Sequence, residues 1–286
     1  MINGRTKIYG ILGRPVAHSL SPEMHNAAFR ELKLNAAYVA FPVTDLGKAV
    51  AGLRGLAIQG VSVTIPFKEE IIPLIDELDP QAALIGAVNT LVNRDGRLIG
   101  YNTDWLGALR ALQVRTSLRG EHVLILGAGG AARAIAFGVL KEGGRVSLAD
   151  LDAPRAAALA RDLQSEAIPL SRLGQCPAAI LVNATPVGME PQAEEIPIPP
   201  EYLGRFRLVM DAVYRPLETR LLKEARARGV AAIDGLQMLI YQATAQFELW
   251  TGRPAPLKTM ARAAYQALGA GEAGSVQDGL LWDPGD

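Results

Sequence analysis

A lysine directly follows a short β-branched run in the stretch "SVTIPFKEE", residues 62–70. Thr64 and Lys68 therefore stand where a buried strand is expected to end, at the edge where open α/β sheets bind ligands. An ammonium group placed there can give a proton to a carbonyl oxygen, and a neutral amine can take a proton from a hydroxyl. The alternative interpretation is a solvated surface lysine, which describes most lysines in proteins.

Four more polar residues extend this set. Asn89 in "GAVNT" and Asp104 in "GYNTD" also have structural interpretations, as a turn residue and as the N-cap of the next helix. Ser19 and Ser21 in "AHSLSPEMHN" stand at a predicted strand-to-helix junction, where hydroxyls suit a small carboxylate, although Ser21 can also be a plain helix cap. The set holds one cation and one anion and suits a small polyol that carries a carboxylate.

A glycine-rich turn in "ILGAGGAARA" has the pattern G-x-G-x-x-A between a predicted strand and a predicted helix. Gly127 permits the tight turn, Gly129 lets the backbone approach a pyrophosphate, and the helix N-terminus supplies N–H donors. This context predicts dinucleotide binding in preference to a turn that serves packing alone. Asp150, at the end of the next strand, can accept hydrogen bonds from the adenine ribose and repels a 2′-phosphate, so it favours NAD over NADP unless it is merely solvated.

The elements that position these residues alternate between strand and helix along the chain, which predicts an α/β fold with mostly parallel sheets. In the first half, "SPEMHNAAFRELKL" is a predicted helix with Ser21 as N-cap and Pro22 at the first helical position. A predicted hairpin turns at Asp95 and Gly96.

We expect two domains. Residues 1–104 and 237–286 form a substrate-binding domain, and residues 105–236 form a Rossmann-type dinucleotide-binding domain. The helix "LQMLIYQATAQFELWTG" is expected to return to the first domain, which places Gln242 by the substrate.

The composition excludes several function classes. The 286 residues carry 29 basic and 29 acidic side chains, so neither nucleic acid nor a membrane is an expected partner, and the expected partner is a small molecule. The single cysteine, Cys176, cannot form an intrachain disulfide, and no Cys/His spacing predicts a metal site. No signal peptide or membrane span is predicted, so a cytoplasmic protein is expected. A homodimer is compatible with the sequence, and the Gly- and Asp-rich tail from Gly269 is predicted to be mobile.

In its motifs the sequence resembles the shikimate dehydrogenase family. The matching stretches occur in the family's order between Ile8 and Gly252, and they are "GRPVAHSLSPEMHN", "GVSVTIPFKE", "GAVNT", "GYNTDWLG", "GAGGAARA", "NATPVGM", "DAVYRPLETRLL" and "DGLQMLIYQATAQFELWTG". The resemblance implies NADP-linked, reversible reduction of 3-dehydroshikimate to shikimate in aromatic amino acid (chorismate) biosynthesis. It also implies two α/β domains with a cleft between them.

The resemblance also implies a role for each matching residue. Lys68 and Asp104 would be the catalytic pair. The implied contacts to the substrate carboxylate are Ser19, Ser21 and Tyr214, and those to the ring hydroxyls are Thr64, Asn89 and Gln242. The implied contacts to the pyrophosphate are Gly127, Ala128, Gly129, Gly130 and Ala131, and those near the nicotinamide are Ala212 and Gly235.

The sequence departs from the family pattern at two places. Ser62 stands where the family usually has asparagine, and we expect little effect from this exchange. Asp150, Leu151 and Asp152 stand where NADP-linked members carry Asn-Arg-Thr, so the arginine that clamps the 2′-phosphate is missing and Arg155 follows one turn later. This second departure resembles the NAD-using quinate/shikimate dehydrogenases and favours NAD.

Two alternative functions remain open at this point. An NAD-dependent quinate/shikimate dehydrogenase of quinate catabolism is the first, although quinate users often carry threonine where this chain has Ser21. A non-catalytic dinucleotide-binding scaffold is the second, and such a protein would be expected to have lost Lys68 or Asp104.

Overall fold

The computed structural model of the chain describes residues 2–269, so most of the tail that was predicted to be mobile lies outside the described residues. The chain divides into two compact units: unit 1 runs through Asp104 and resumes at Ile240, and unit 2 is Trp105–Leu239. The second boundary therefore falls inside a helix, after Leu239, where the sequence placed it after residue 236.

The described residues form strands and helices that alternate along most of the chain. The strands are β1 (Lys7–Gly13), β2 (Ala36–Pro42), β3 (Gly60–Val63), β4 (Glu77–Leu78), β5 (Thr90–Arg94), β6 (Arg97–Tyr101), β7 (His122–Leu126), β8 (Arg145–Ala149), β9 (Glu166–Ala167), β10 (Ile180–Asn183), β11 (Leu208–Asp211) and β12 (Ala231–Ile233). The α-helices are α1 (Ser21–Glu31), α2 (Leu46–Gly55), α3 (Pro80–Ile85), α4 (Asp104–Gln113), α5 (Gly130–Lys141), α6 (Ala153–Asp162), α7 (Arg220–Ala227), α8 (Gly235–Thr251) and α9 (Leu257–Ala267).

Unit 1 is built on a six-stranded sheet in the order β2-β1-β3-β5-β6-β4. β5 alone runs against the other described strands of this sheet, because it pairs antiparallel with both β3 and β6. The predicted hairpin is confirmed: Asp95 and Gly96 have φ of 54° and 89°, the left-handed region that a tight hairpin turn needs. The carboxyl ends of β1, β3 and β6 and the start of β5 consequently share one edge of the sheet.

The second half of α8 packs on this sheet. Trp250 Nε1 donates a hydrogen bond of 2.9 Å to the Leu91 carbonyl oxygen. A Cβ at Gly60 would lie 2.3 Å from Trp250 Nε1, so only glycine permits this approach. The contact fixes where the other α8 side chains meet β3 and β5.

The prediction that Ser21 caps α1 is wrong. Leu20 occupies the N-cap position, Ser21 is the first helical residue, and Pro22 follows it. The Ser19 hydroxyl supplies the missing acceptor, since its Oγ accepts the Ser21 N–H at 3.2 Å. The Ser21 hydroxyl is therefore not consumed by capping.

Unit 2 is a parallel, doubly wound sheet in the order β12-β11-β10-β7-β8-β9. The strand order reverses between β7 and β10, and ligands bind at such a switch point in this class of sheet. The predicted α/β fold with a Rossmann-type unit is confirmed. Within the described part of the chain, no helix is both long and apolar enough to cross a membrane.

Candidate active site

Lys68 and Asp104 form an ion pair in unit 1. Lys68 Nζ lies 2.5 Å from Asp104 Oδ2, and the two side chains are only 17% and 7% exposed. The Lys68 carbonyl accepts the Val88 N–H at 2.8 Å, and Asn102 Oδ1 accepts the Asp104 N–H at 3.0 Å, so both backbones are held. A largely shielded ammonium beside a carboxylate is suited to proton transfer rather than to a surface role.

Asn89 links this ion pair to α8. Its Nδ2 lies 2.8 Å from Asp104 Oδ1, 2.9 Å from Thr103 Oγ1 and 3.2 Å from Gln242 Oε1, three acceptors that share its two hydrogens. Its Oδ1 accepts the Thr103 N–H at 2.7 Å, which sets the orientation of the carboxamide. We call Lys68, Asn89, Asp104 and Gln242 the lysine cluster.

Of the predicted carboxylate and hydroxyl contacts, Ser19, Ser21, Thr64 and Asn89 follow or precede strands at the same edge of the unit 1 sheet. Ser19 and Ser21 come after β1, and a Cβ at Gly13 would lie 2.4 Å from Thr64 Cγ2, so the end of β1 touches the segment that leads to Lys68. Tyr214 follows β11 in unit 2, and its contact with the substrate stays a prediction.

The glycine turn of unit 2 fits a pyrophosphate. Gly127 has φ of 114°, and a Cβ there would lie 3.1 Å from the Ala184 carbonyl carbon and oxygen, at the β7–β10 switch point. Gly129 is the N-cap of α5 and offers no side-chain oxygen, so the first N–H groups of α5 have no side-chain cap. The backbone from Gly127 to Ala131 therefore has the shape and the donors that a dinucleotide phosphate needs.

The carboxylates after β8 make local hydrogen bonds. Asp150 Oδ1 accepts the Asp152 N–H at 2.9 Å, and Asp152 Oδ1 accepts the Arg155 N–H at 3.0 Å as the N-cap of α6. The Arg155 guanidinium reaches back to the glycine turn, where its Nη2 lies 3.8 Å from the place of a Gly129 Cβ. Sequence reasoning noted Arg155 but not that it reaches this turn.

Sequence reasoning missed Asp211, which holds the loops beside the glycine turn. Asp211 is fully buried, its Oδ1 accepts from Asn183 Nδ2 at 2.9 Å and from the Val213 N–H at 3.0 Å, and its Oδ2 accepts from Thr219 Oγ1 at 2.7 Å. Burial raises the pKa of Asp211 to about 6, and these hydrogen bonds oppose the rise. The neighbouring Ala212 carbonyl oxygen touches Gly235, since a Cβ there would lie 2.5 Å away.

We predict that Asp211 makes the stability of the protein depend on pH. A carboxyl whose pKa rises on folding stabilises the fold below its unfolded pKa of about 3.9, and this contribution is lost as pH rises through about 6. The full difference corresponds to about 3 kcal/mol. Asp211→Asn keeps the shape of the side chain but removes the titration.

The measurement is the melting temperature of both proteins between about pH 4.5 and about pH 7.5. As pH falls through this range, the melting temperature of the wild type should rise relative to that of Asp211→Asn by about 5 °C. A difference that does not change with pH would mean that Asp211 titrates normally. Asp162→Asn, which alters an exposed carboxylate paired with Arg133 at 3.1 Å, is the control.

Within residues 2–269, no group of His, Cys, Asp and Glu side chains is arranged to hold a metal ion. The chain is an oxidoreductase that acts on a CH–OH group with a nicotinamide dinucleotide: the turn of unit 2 and the shielded lysine–carboxylate pair of unit 1 fit this class, and its relatives are named as such dehydrogenases. Residues 11–91 match the model of the shikimate dehydrogenase substrate binding domain, and residues 235–265 match that of the shikimate 5′-dehydrogenase C-terminal domain. The chain belongs to the shikimate dehydrogenase family.

Similar proteins cover nearly the whole chain. The shikimate dehydrogenase (NADP⁺) of Moorella thermoacetica is 46% identical over 96% of this chain and 97% of its own length. That of Pyrococcus furiosus is 48% identical over 94% of this chain and 98% of its own length. The crystal structure of shikimate 5-dehydrogenase from Thermus thermophilus in complex with NADP(H) and shikimate has a TM-score of 0.84 at 41% identity, over 92% of this chain and 100% of that one.

Proposed function

We propose that the chain catalyses the reversible, NADP-linked reduction of 3-dehydroshikimate to shikimate, a step of chorismate and aromatic amino acid biosynthesis. The observation that carries the proposal is the ion pair between Lys68 Nζ and Asp104 Oδ2, held in place by Asn89. Relatives that bear this activity in their names support it over nearly the whole chain.

Lys68 is the proton donor in the direction of reduction. Its ammonium gives a proton to the substrate carbonyl oxygen as that oxygen gains negative charge, and in the direction of oxidation the neutral amine takes the hydroxyl proton back. Asp104 Oδ2 aims the amine, while Asp104 is also placed to accept a hydrogen bond from a neighbouring substrate hydroxyl. When bound, the nicotinamide supplies or accepts the hydride.

The remaining substrate contacts follow the chemistry of the available groups. The hydroxyls of Ser19 and Ser21 donate to the substrate carboxylate, with help from Tyr214. The ring hydroxyls are met by Thr64 and by two members of the lysine cluster, Asn89 and Gln242. These groups bind the substrate at its two ends and hold the reacting oxygen near Lys68 Nζ. This positioning lowers the entropic cost of the proton transfer.

The cofactor in this proposal is NADP, and the residues around the glycine turn explain how it is held. The segment Gly127–Ala131 holds the pyrophosphate, and the Arg155 guanidinium is close enough to that turn to meet the 2′-phosphate of the adenine ribose. The preference for NAD that the sequence favoured is not supported by the relatives, which are named for NADP⁺. Because Asp150 is an anion in the same region, we expect it to reduce the preference for NADP without reversing it.

The test is a four-way kinetic comparison of shikimate or quinate with NADP or NAD. Shikimate with NADP should give the highest kcat/KM, and quinate should be a poor substrate with either cofactor. Absence of turnover with shikimate would overturn the proposed reaction, and efficient turnover of quinate with NAD would support the catabolic alternative.

Two variants test the cofactor assignment separately. Arg155→Met should lower kcat/KM for NADP by about tenfold or more and leave that for NAD unchanged, because a charge-assisted hydrogen bond is lost only with the 2′-phosphate. Asp150→Asn should raise kcat/KM for NADP a few-fold, about threefold. Arg207→Met, which alters an exposed arginine paired with Glu121 at 2.8 Å, is the control. Equal losses with both cofactors in Arg155→Met would reject the phosphate contact.

A further inference from the structure

Three buried side chains from separate elements of unit 1 form a hydrogen-bonded series beneath the lysine cluster. Tyr38 on β2, Ser62 on β3 and Gln246 on α8 are 2%, 5% and 0% exposed. The Tyr38 hydroxyl lies 2.6 Å from Ser62 Oγ, which lies 2.7 Å from Gln246 Oε1. We call these three residues the buried hydroxyl network.

The donors and acceptors of this network have one consistent order. Gln246 Nε2 donates to the Asn89 carbonyl oxygen at 3.0 Å and to Thr90 Oγ1 at 2.9 Å, and these acceptors leave Gln246 Oε1 facing Ser62. An amide oxygen only accepts, so the Ser62 hydroxyl must donate to it. Ser62 then accepts from the Tyr38 hydroxyl.

One end of the network reaches the catalytic pair. Thr90 Oγ1 accepts from Gln246 and so directs its own proton to Asn89 Oδ1, at 2.7 Å. Because Asn89 Oδ1 accepts this hydrogen bond from Thr90, the carboxamide is oriented with Nδ2 toward Asp104 Oδ1. The network therefore supports the orientation in which Asn89 donates to the carboxylate that aims Lys68.

The other end is the Tyr38 phenol, which has Ser21 among the residues that influence it. Burial raises the pKa of Tyr38, which keeps its phenol protonated, while its hydrogen-bonding interactions with Ser62 and Ser21 oppose the rise. Because the Tyr38 proton is committed to Ser62, any further hydroxyl near the phenol oxygen can only donate to it. The aromatic packing around Tyr38 is independent of this hydroxyl, since the His25 ring stacks on the Tyr38 ring at 4.5 Å.

We propose that Ser62, Tyr38 and Gln246 are positioning residues, which hold the carboxylate-binding hydroxyl and the Asn89–Asp104 contact in one hydrogen-bonded unit. This inference rests on the proposed function, because it assigns the two ends of that unit to the two ends of the same substrate. It also changes the expectation for Ser62. The asparagine usual in the family has one donor and one acceptor group, so it can replace serine in both bonds, whereas alanine can replace neither.

The test compares Ser62→Ala, Tyr38→Phe and Ser62→Asn with a matched control. Thr244→Val removes another buried hydroxyl of α8, which donates to the Tyr241 carbonyl oxygen at 2.7 Å outside the network. Ser62→Ala and Tyr38→Phe should each lower kcat for shikimate by about three- to tenfold and leave KM for NADP unchanged. The double variant, Tyr38→Phe with Ser62→Ala, should lower kcat by about as much as the more affected single variant. Both substitutions interrupt the same series of hydrogen bonds, so their effects should not add.

Melting temperatures separate positioning from stability. Each of the three substitutions that remove a hydroxyl, Ser62→Ala, Tyr38→Phe and Thr244→Val, should lower the melting temperature by about 2–4 °C. Of these, Thr244→Val should keep the wild-type kcat. Ser62→Asn should recover kcat to within about threefold of wild type. Tyr38→Phe preserves the ring stack, so it carries the test if Ser62→Ala does not fold.

The outcomes distinguish this inference from the proposed function. If wild type turns over shikimate while Ser62→Ala and Tyr38→Phe lose no more kcat than Thr244→Val, the network is only structural and the inference is overturned. If wild type itself does not turn over shikimate, the proposed function fails first. Loss of kcat in both network variants with recovery in Ser62→Asn supports the positioning role.

Discussion

Replacement of Lys68 by alanine is expected to lower kcat for shikimate by about 10²- to 10⁴-fold, the range that a positioned acid or base contributes. KM for NADP should stay within about twofold, because the lysine cluster and the glycine turn belong to different units of the chain. The loss follows from the geometry: the amine that lies 2.5 Å from Asp104 Oδ2 is removed, so the reacting hydroxyl of shikimate loses the base that takes its proton. Steady-state kinetics with shikimate and NADP varied in turn measure both quantities.

The matched control is Lys48→Ala. Lys48 also pairs with an aspartate, Asp45, at 3.1 Å, but its side chain is 87% exposed, so its removal should leave kcat unchanged. Small primary amines added to the Lys68→Ala protein should restore part of the lost turnover, which a purely structural defect would not allow. If Lys68→Ala keeps kcat within about threefold of wild type, Lys68 does not transfer the proton.

Replacement of Gly235 by alanine is expected to lower kcat/KM for NADP by about tenfold or more. The new Cβ would lie 2.5 Å from the Ala212 carbonyl oxygen and 2.7 Å from that of Val213, and both are backbone atoms that cannot rotate away. The start of α8 cannot move freely either, since Asp234 Oδ1 accepts the Leu236 N–H at 3.1 Å. The segment after β11, which the family resemblance implies is near the nicotinamide, must therefore shift.

Gly204→Ala is the control for this substitution, because a Cβ at Gly204 meets nothing within 4 Å. Both variants are compared by kcat, by KM for each substrate and by melting temperature. If Gly235→Ala loses stability but binds and uses NADP like Gly204→Ala, the placement of Ala212 and Gly235 beside the nicotinamide is wrong.

Local patterns were enough to predict the elements and the motif positions. The Asp95-Gly96 turn and the strand–glycine–helix context of Gly127 are encoded in neighbouring residues, and the structure contains both. The helix start near Ser21 was misplaced by one residue, because a serine before a proline is a typical N-cap, whereas Leu20 takes that position here and the Ser19 hydroxyl accepts the Ser21 N–H.

The supporting contacts could not be predicted, because they depend on burial and on residues far apart in the chain. Ser62 and Gln246 are 184 positions apart, so no local period links them. The raised pKa of Asp211 comes mainly from desolvation, which has no signature in the residues beside it. At Asp150 the residue type predicts a charge but not its contacts. The Asp150 carboxylate accepts the Asp152 N–H, and the Arg155 guanidinium approaches Gly129 in the glycine turn.

Unit 1 is assembled from two distant stretches, and this constrains the order in which the protein acquires structure during synthesis. The sheet of unit 1 leaves the ribosome before Gln246 and Trp250, whose side chains bond to the Asn89 and Leu91 carbonyl oxygens. Unit 2 is continuous and is complete at Leu239, before the rest of α8 has emerged. Unit 2 can thus finish folding on the nascent chain. Unit 1, which carries Lys68, cannot complete its folding until the end of α8 and α9 have been synthesised.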